Sequence, residues 1–219
     1  MKEEIEYPAT RTKKSFLFGW RANKTNAFPY LETKRLILRR PTYADISAIF
    51  NYFSQDIVTE HYDLNTFQSE EEAEDLIRVW NVGYEMKRSI RWAICLKKTN
   101  ELIGTCGFHN FREQHYSTEL GYDLNPKFWR QGYMTEAINA IQHYGFKRLH
   151  LHRLEAFIFP QNLSSRKLLY RVGLRSEGIL RDYFWEKNRF WDGEIFSILV
   201  DDWKKFRKHK GELRDLLPN

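Results

Sequence analysis

Pro126-Lys127-Phe128-Trp129-Arg130-Gln131-Gly132-Tyr133-Met134-Thr135-Glu136-Ala137 runs from the end of a predicted strand, through a basic loop containing one glycine, into a helix. Such a junction presents unpaired backbone N–H groups and the positive end of the helix dipole, which together hold a phosphate. Arg130 adds a charge-assisted donor, and Gly132 lets the backbone come close to a ligand. The spacing is neither G-x-x-x-x-G-K-[ST] nor G-x-G-x-x-G, so neither a Walker loop nor a dinucleotide fingerprint is present. Taken alone, one Gly with one Arg at a helix start more often makes a plain turn.

Downstream, Asn162-Leu163-Ser164-Ser165-Arg166-Lys167-Leu168-Leu169-Tyr170-Arg171-Val172-Gly173-Leu174 follows a short strand, Leu154 to Phe159, that Pro160 stops. Read by itself, Asn162 is an N-cap and Gly173 a C-cap. Upstream, Arg35 to Arg39 reads as a strand, and Thr42 with Asp45 opens a helix carrying Ile46, Ile49, Phe50 and Phe53 on one face. Ser69 and Glu72 form a capping-box pair before Ala73, Leu76, Ile77, Trp80 and Tyr84 at helical spacing. Ile90 to Leu96 and Glu101 to Phe111 make a hairpin, and Tyr116 to Leu124 extends it. In that last strand Tyr116, Thr118, Leu120, Tyr122 and Leu124 share one face, with Ser117, Glu119, Gly121 and Asp123 on the other. A helix from about Gln131 to Leu149 and a final hairpin, Ile179 to Trp185 with Glu194 to Val200, complete a mixed α/β order of about seven strands and four helices.

The chain has 219 residues, enough for one core; 42% hydrophobic and 16% aromatic content exclude a disordered chain. No apolar run approaches a bilayer span, and the N-terminus does not resemble a signal peptide, so a cytoplasmic location is expected. Cys95 and Cys106, the only cysteines, are expected as reduced, buried thiols. The net charge is +6, but residues 1–29 carry +3 and residues 201–219 carry +2. The body is thus nearly neutral, which disfavours a nucleic-acid groove. Residues 1–29 read as an extension, 30–203 as the folded domain, and 204–219 as a charged, solvated helical tail.

Strand, phosphate-type loop, helix, strand and Asn-capped helix, taken together, resemble the GNAT superfamily of acetyl-CoA-dependent N-acetyltransferases. Within it the chain resembles the ribosomal-protein alanine N-acetyltransferase branch through Leu31-Glu32-Thr33-Lys34-Arg35-Leu36-Ile37-Leu38-Arg39, Leu120-Gly121-Tyr122, the 129–137 stretch, Asn162-Leu163-Ser164-Ser165 and Gly173-Leu174. The likeness spans roughly residues 31 to 202. It implies a mixed sheet whose fourth and fifth strands, here Tyr116 to Leu124 and Leu154 to Phe159, run parallel and splay apart around the pantetheine arm. It further implies that the backbone near Leu124 pairs with pantetheine amides, and that the N–H groups of Arg130, Gln131, Gly132, Tyr133, Met134 and Thr135 hold the pyrophosphate. Asn162 would meet the pantetheine arm, with Ser165 or Lys167 near the cofactor. The loop departs from the usual [QR]-x-x-G-x-[GA] in having Trp129 first and Met134 last, changes that leave the backbone donors in place. The family's usual acid, a tyrosine seven residues after the Asn, is replaced by Leu169; Tyr170 lies about 100° further round the helix. Ser165 is the better candidate for the group that meets the departing sulfur.

Transfer of an acetyl group to an amine needs a neutral amine, a donor for the developing oxyanion and a path for the proton. Glu119 is the carboxylate best placed to take that proton, with His109 as second choice. Asp192 either binds substrate or braces the last hairpin. The aromatic run Tyr183-Phe184-Trp185 with Phe190-Trp191 is expected to pack in the core. The expected activity is direct acetyl transfer from acetyl-CoA, without a covalent acyl-enzyme or a metal. The acceptor is a protein or peptide N-terminal α-amine, or alternatively a small-molecule amine such as a polyamine or aminoglycoside. Glu70, Glu71, Glu72, Glu74 and Asp75 are available to a polyamine, although an acidic first turn explains them as well. A non-catalytic acyl-CoA-binding module is the rival from another class, and a homo-oligomer is open.

Overall fold

The computed structural model describes residues 27–215, with side chains to residue 209; the expected extension therefore lies, for residues 1–26, outside the described residues. The elements are β1 Leu31–Glu32, β2 Leu36–Arg39, α1 Ile46–Phe53, α2 Asp56–Thr59, α3 Glu70–Glu85, β3 Ile90–Leu96, β4 Leu102–Arg112, β5 Ser117–Leu124, α4 Tyr133–Lys147, β6 Arg153–Ile158, α5 Leu163–Arg171, β7 Arg175–Glu186, β8 Arg189–Leu199 and α6 Val200–Asp215. The strands form one sheet in the order β1-β2-β3-β4-β5-β6-β8-β7. Every neighbouring pair is antiparallel except β5 and β6, which α4 joins by a crossover.

Strand alternation sorts the core into two layers. Leu36, Leu38, Trp92 and Ile94 pack with Met134, Ile138 and Ile141 of α4, Leu169 and Val172 around α5, and Trp203 of α6. Ala93 and Cys95, the alternate positions of β3, pack instead with Ile49, Tyr52 and Phe53 of α1 and Ala73 and Ile77 of α3. Helices α4, α5 and α6 thus cover one face of the sheet, and α1 and α3 the other. The two cysteines fall in different layers, each buried as a free thiol.

Several ends come from residues named above. The capping boxes of Thr42 with Asp45 and Ser69 with Glu72 form as the spacing predicts. The Asn162 side chain accepts from Ser165 N, and Gly173, at φ +93°, closes α5 while Leu174 N donates to Leu169 O. The eighth strand, β1, is two residues long, too short for alternation to reveal. The last helix starts at Val200, where a strand was expected to end, because Trp203 turns into the core. The aromatic hairpin departs from its expected role: Trp185 is 62% and Phe190 58% exposed, so these rings do not fill the core. The hairpin tip leans across the molecule, where Lys187 Nζ donates to Thr59 O at 2.8 Å and Glu60 O at 3.3 Å, at the end of α2.

Candidate active site

Strands β5 and β6 pair at only three rungs, Ser117 with Arg153, Thr118 with Leu154 and Glu119 with Glu155. Beyond them Leu120–Leu124 continues to pair with β4, and Ala156–Ile158 with β8, but not with one another. The implied splay is therefore present, and it leaves a cleft edged by backbone groups that have no strand partner. Such groups are costly unless something bonds them. Leu124 O accepts from Trp129 Nε1 at 2.7 Å, which folds the following loop back on the strand and leaves the carbonyl a second lone pair.

The loop then delivers the start of α4. Arg130 and Gly132 both hold positive φ, +59° and +80°, the second being the conformation in which only glycine is unstrained. No side chain caps α4, so the N–H groups of Tyr133, Met134 and Thr135 have no intrahelical acceptor. Glu136, in the first turn, is committed elsewhere: it accepts from Arg35 N at 2.8 Å, Arg35 Nε at 2.7 Å and Thr33 Oγ1 at 2.7 Å, which ties β2 to α4. Arg35 also lies over the Tyr133 ring. The Met134 side chain is core, so this residue can offer a ligand only its backbone. Gln131 donates to Lys127 O at 2.8 Å, while Arg130 and Lys167 extend exposed side chains.

Across the cleft, Asn162 Oδ1 is used twice, by Ser165 N at 3.0 Å and Ser164 Oγ at 2.9 Å. Its amide Nδ2 remains available, so capping and ligand binding draw on different atoms. Leu169 is wholly buried, and Tyr170 is half exposed with its ring against Phe196, so α5 brings no phenol to the cleft. The Ser165 hydroxyl instead faces Tyr122 of β5, whose buried hydroxyl has no hydrogen-bond partner of acceptable geometry.

Glu119 occupies the last paired rung, on the opposite face of the sheet from Tyr122. Its carboxylate meets Arg112 and accepts from Asn110 Nδ2 at 3.0 Å. Arg112 also pairs with Glu155, and Arg153 joins Glu155 to Glu177. Burial raises the Glu119 pKa, against the opposing pull of Asn110 and Arg112. His109 is 3.6 Å from Glu119, but burial of part of its ring, with Arg91 and Arg112 nearby, pushes it down to about 4, so it is neutral at pH 7. On this face Phe157 of β6 stacks on Tyr183 at 5.0 Å, and Phe159 meets Phe184 and Trp191. Asp192 accepts from Asp182 N at 3.0 Å and so braces the hairpin.

Alternation alone did not reveal the group that fixes β5. Asp123 is buried and accepts from Tyr52 Oη at 2.7 Å, Thr105 N at 3.0 Å, Thr105 Oγ1 at 2.7 Å and Tyr62 Oη at 3.3 Å, and it pairs with the buried Arg91. One carboxylate thus anchors the strand immediately before Leu124, on the face away from the core of α4. The cleft's two sides are chemically distinct: N–H groups and hydroxyls on the α4 and α5 side, carboxylates and guanidiniums on the other.

Residues 35–175 match the acetyltransferase (GNAT) domain family. The chain belongs to the GNAT acetyltransferases. It is 42% identical over 172 residues to an uncharacterized N-acetyltransferase of Bacillus subtilis, YoaA, covering 78% of this chain and 97% of that one. It is 25% identical over 195 residues to the ribosomal protein uS5 alanine N-acetyltransferase of Escherichia coli, covering 85% and 98% respectively. Among solved structures, a GNAT family acetyltransferase of Bacillus anthracis superposes with a TM-score of 0.71 at 29% identity, over 79% of this chain and 99% of that one. This GNAT chain is accordingly an acetyltransferase, and acetyl-CoA is the donor its family uses. No helix among its described residues is long and apolar enough to cross a membrane.

Proposed function

We propose that this GNAT enzyme transfers acetyl from acetyl-CoA to the α-amine at the N-terminus of a protein or peptide, in the cytoplasm. The observation that carries the reading is the cleft between β5 and β6, with amide and hydroxyl donors on one face and Glu119 on the other. The residues present fit a CoA ester. The N–H groups of Arg130 to Thr135 and the exposed cation of Arg130 suit its pyrophosphate, and Lys167 its outer charge. The open edges near Leu124 and the amide Nδ2 of Asn162 suit the amides of its arm.

Acetyl-CoA supplies an acetyl group already activated as a thioester. The protein then has to hold the acceptor nitrogen at the cleft and remove one proton. Glu119 does the second, its raised pKa bringing it nearer the pH at which it works. A weak base suffices for an α-amine, whose pKa near 7.7–8.0 leaves part of it neutral at pH 7, whereas a lysine near 10.4 is about a thousandfold scarcer in that form.

The charge at the mouth supports a single amine over a polyamine. Glu119, Glu155 and Glu177 are matched against Arg112 and Arg153, leaving one uncompensated negative charge. The acidic first turn of α3 is largely occupied: Glu72 caps the helix, Glu70 accepts from Ser47 at 2.7 Å and Asp75 pairs with Arg78. Likeness to an alanine N-acetyltransferase points the same way. The test offers acetyl-CoA with three acceptors: a peptide with a free N-terminal Ala, the same peptide blocked at its α-amine but carrying a Lys, and spermidine. Acetylation confined to the free α-amine is expected; turnover with spermidine alone would overturn the acceptor class.

A further inference from the structure

Tyr122 carries a hydroxyl sealed from solvent and without a hydrogen-bond partner of acceptable geometry. Burying such a group destabilises a fold relative to the phenylalanine that would fill the same space. It projects from the unpaired part of β5 toward the first turn of α5, where the Ser165 hydroxyl faces it. Among the described residues neither Tyr122 Oη nor Ser165 Oγ has a polar partner beyond the other, so even if one hydroxyl donates to the other, the pair keeps one O–H with nothing of the protein to receive it. On α5 itself Leu169 is core and Tyr170 turns out to Phe196, so the phenol that faces the first turn of α5 comes from β5.

We propose that Tyr122 is a catalytic residue whose phenol donates a hydrogen bond to the sulfur leaving the acetyl group, with Ser165 as the second donor. This rests on the acetyl-transfer reading above. In the step, the amine lone pair forms a bond to the acetyl carbon and the carbon–sulfur bond breaks with its electron pair kept on sulfur. One amine proton passes to Glu119, and coenzyme A departs as the thiolate. Tyr122 keeps its own proton throughout. Burial pushes its phenol up to about 12, well above a thiol near 8.5, so it is a hydrogen-bond donor at every working pH and not a proton source for the thiolate. A fixed donor aimed at developing charge lowers the barrier without reorganising.

The test uses Tyr122→Phe in the full chain, with coenzyme A and desulfo-coenzyme A as probes. The substituted protein is expected to melt at or above the parent's temperature, because the hydroxyl it loses makes no well-formed hydrogen bond in the fold. The thiol pKa of bound coenzyme A, read from thiolate absorbance, is expected to rise in Tyr122→Phe, while affinity for desulfo-coenzyme A stays at the parent's value. kcat should fall about 10²-fold with the KM for acetyl-CoA unchanged, and Ser165→Ala should move the same readouts in the same direction. An unchanged thiol pKa in a variant that binds coenzyme A normally overturns the role of Tyr122 and leaves the acetyltransferase reading intact. Equal loss of affinity for both probes would place the hydroxyl on the pantetheine arm and also overturn the proposal. A parent that binds neither coenzyme A nor acetyl-CoA would sink both readings.

Discussion

As the proposed base, Glu119 meets two conflicting demands: it must be ionised to take up a proton, yet a carboxylate at the end of a buried rung is penalised for its charge. Arg112 and Asn110 resolve this by holding the carboxylate in place while burial keeps its pKa raised. A raised carboxylate pKa means that the basic form is lost earlier as pH falls. The acid limb of kcat/KM is therefore expected above the ordinary glutamate range, and Glu119→Gln should lower kcat at least 10²-fold without weakening acetyl-CoA binding. Arg91 poses the opposite case. It and Asp123 are both buried, so Arg91→Met strands a carboxylate among Tyr52, Tyr62 and Thr105. Chemical denaturation should show a loss of about 3–5 kcal/mol, the usual cost of removing one member of a buried pair.

Among the elements, α4 and α5 divide the labour of a helix start in opposite ways. Asn162 caps α5 with its oxygen and leaves its amide free, whereas α4 has no cap at all and depends on Gly132 for its entry angle. Asn162→Asp keeps the capping oxygen and removes the amide donor; Asn162→Ala removes both. Only the alanine variant should lose about 1 kcal/mol of stability, and both should bind acetyl-CoA more weakly, as titration calorimetry can establish. These two starts were legible in the chain because caps and glycine turns are local: the residues that make them lie within a few positions of each other. The meeting of Tyr122 with Ser165 was not, since it arises from how α5 settles against β5, and alternation places Tyr122 only on one face with Leu120 and Leu124. Asp123 was hidden for the same reason. The exposed rings of the β7 and β8 hairpin depart from the expected core packing because alternation reveals which residues share a face, not whether anything covers that face.

At the scale of the whole molecule, the proposed reaction uses the sheet to separate donor from acceptor: α4 and α5 lie on one face, and Glu119 with the rings of Phe157, Phe159 and Tyr183 on the other. The gap between β5 and β6 is where the two faces communicate, and in the proposed reaction the two substrates approach it from opposite sides. Saturation with acetyl-CoA at 100 times its dissociation constant adds about 2.7 kcal/mol. For a chain of this length the melting point should rise by about 5–10 °C, and Arg130→Glu together with Asn162→Ala should abolish the rise.

Three rungs of parallel pairing are also all that stitches β1 through β5 to β6, β8 and β7 across the sheet. Such a seam is the natural border between two cooperative opening units, held together further by packing and by the Lys187 contact at the hairpin tip. Whatever fills the gap laces the halves together. Deuterium uptake at Leu120–Leu124 and Ala156–Ile158 should then slow together when the donor binds, more than anywhere else in the sheet, and the enzyme would unfold as one body when loaded and as two when empty.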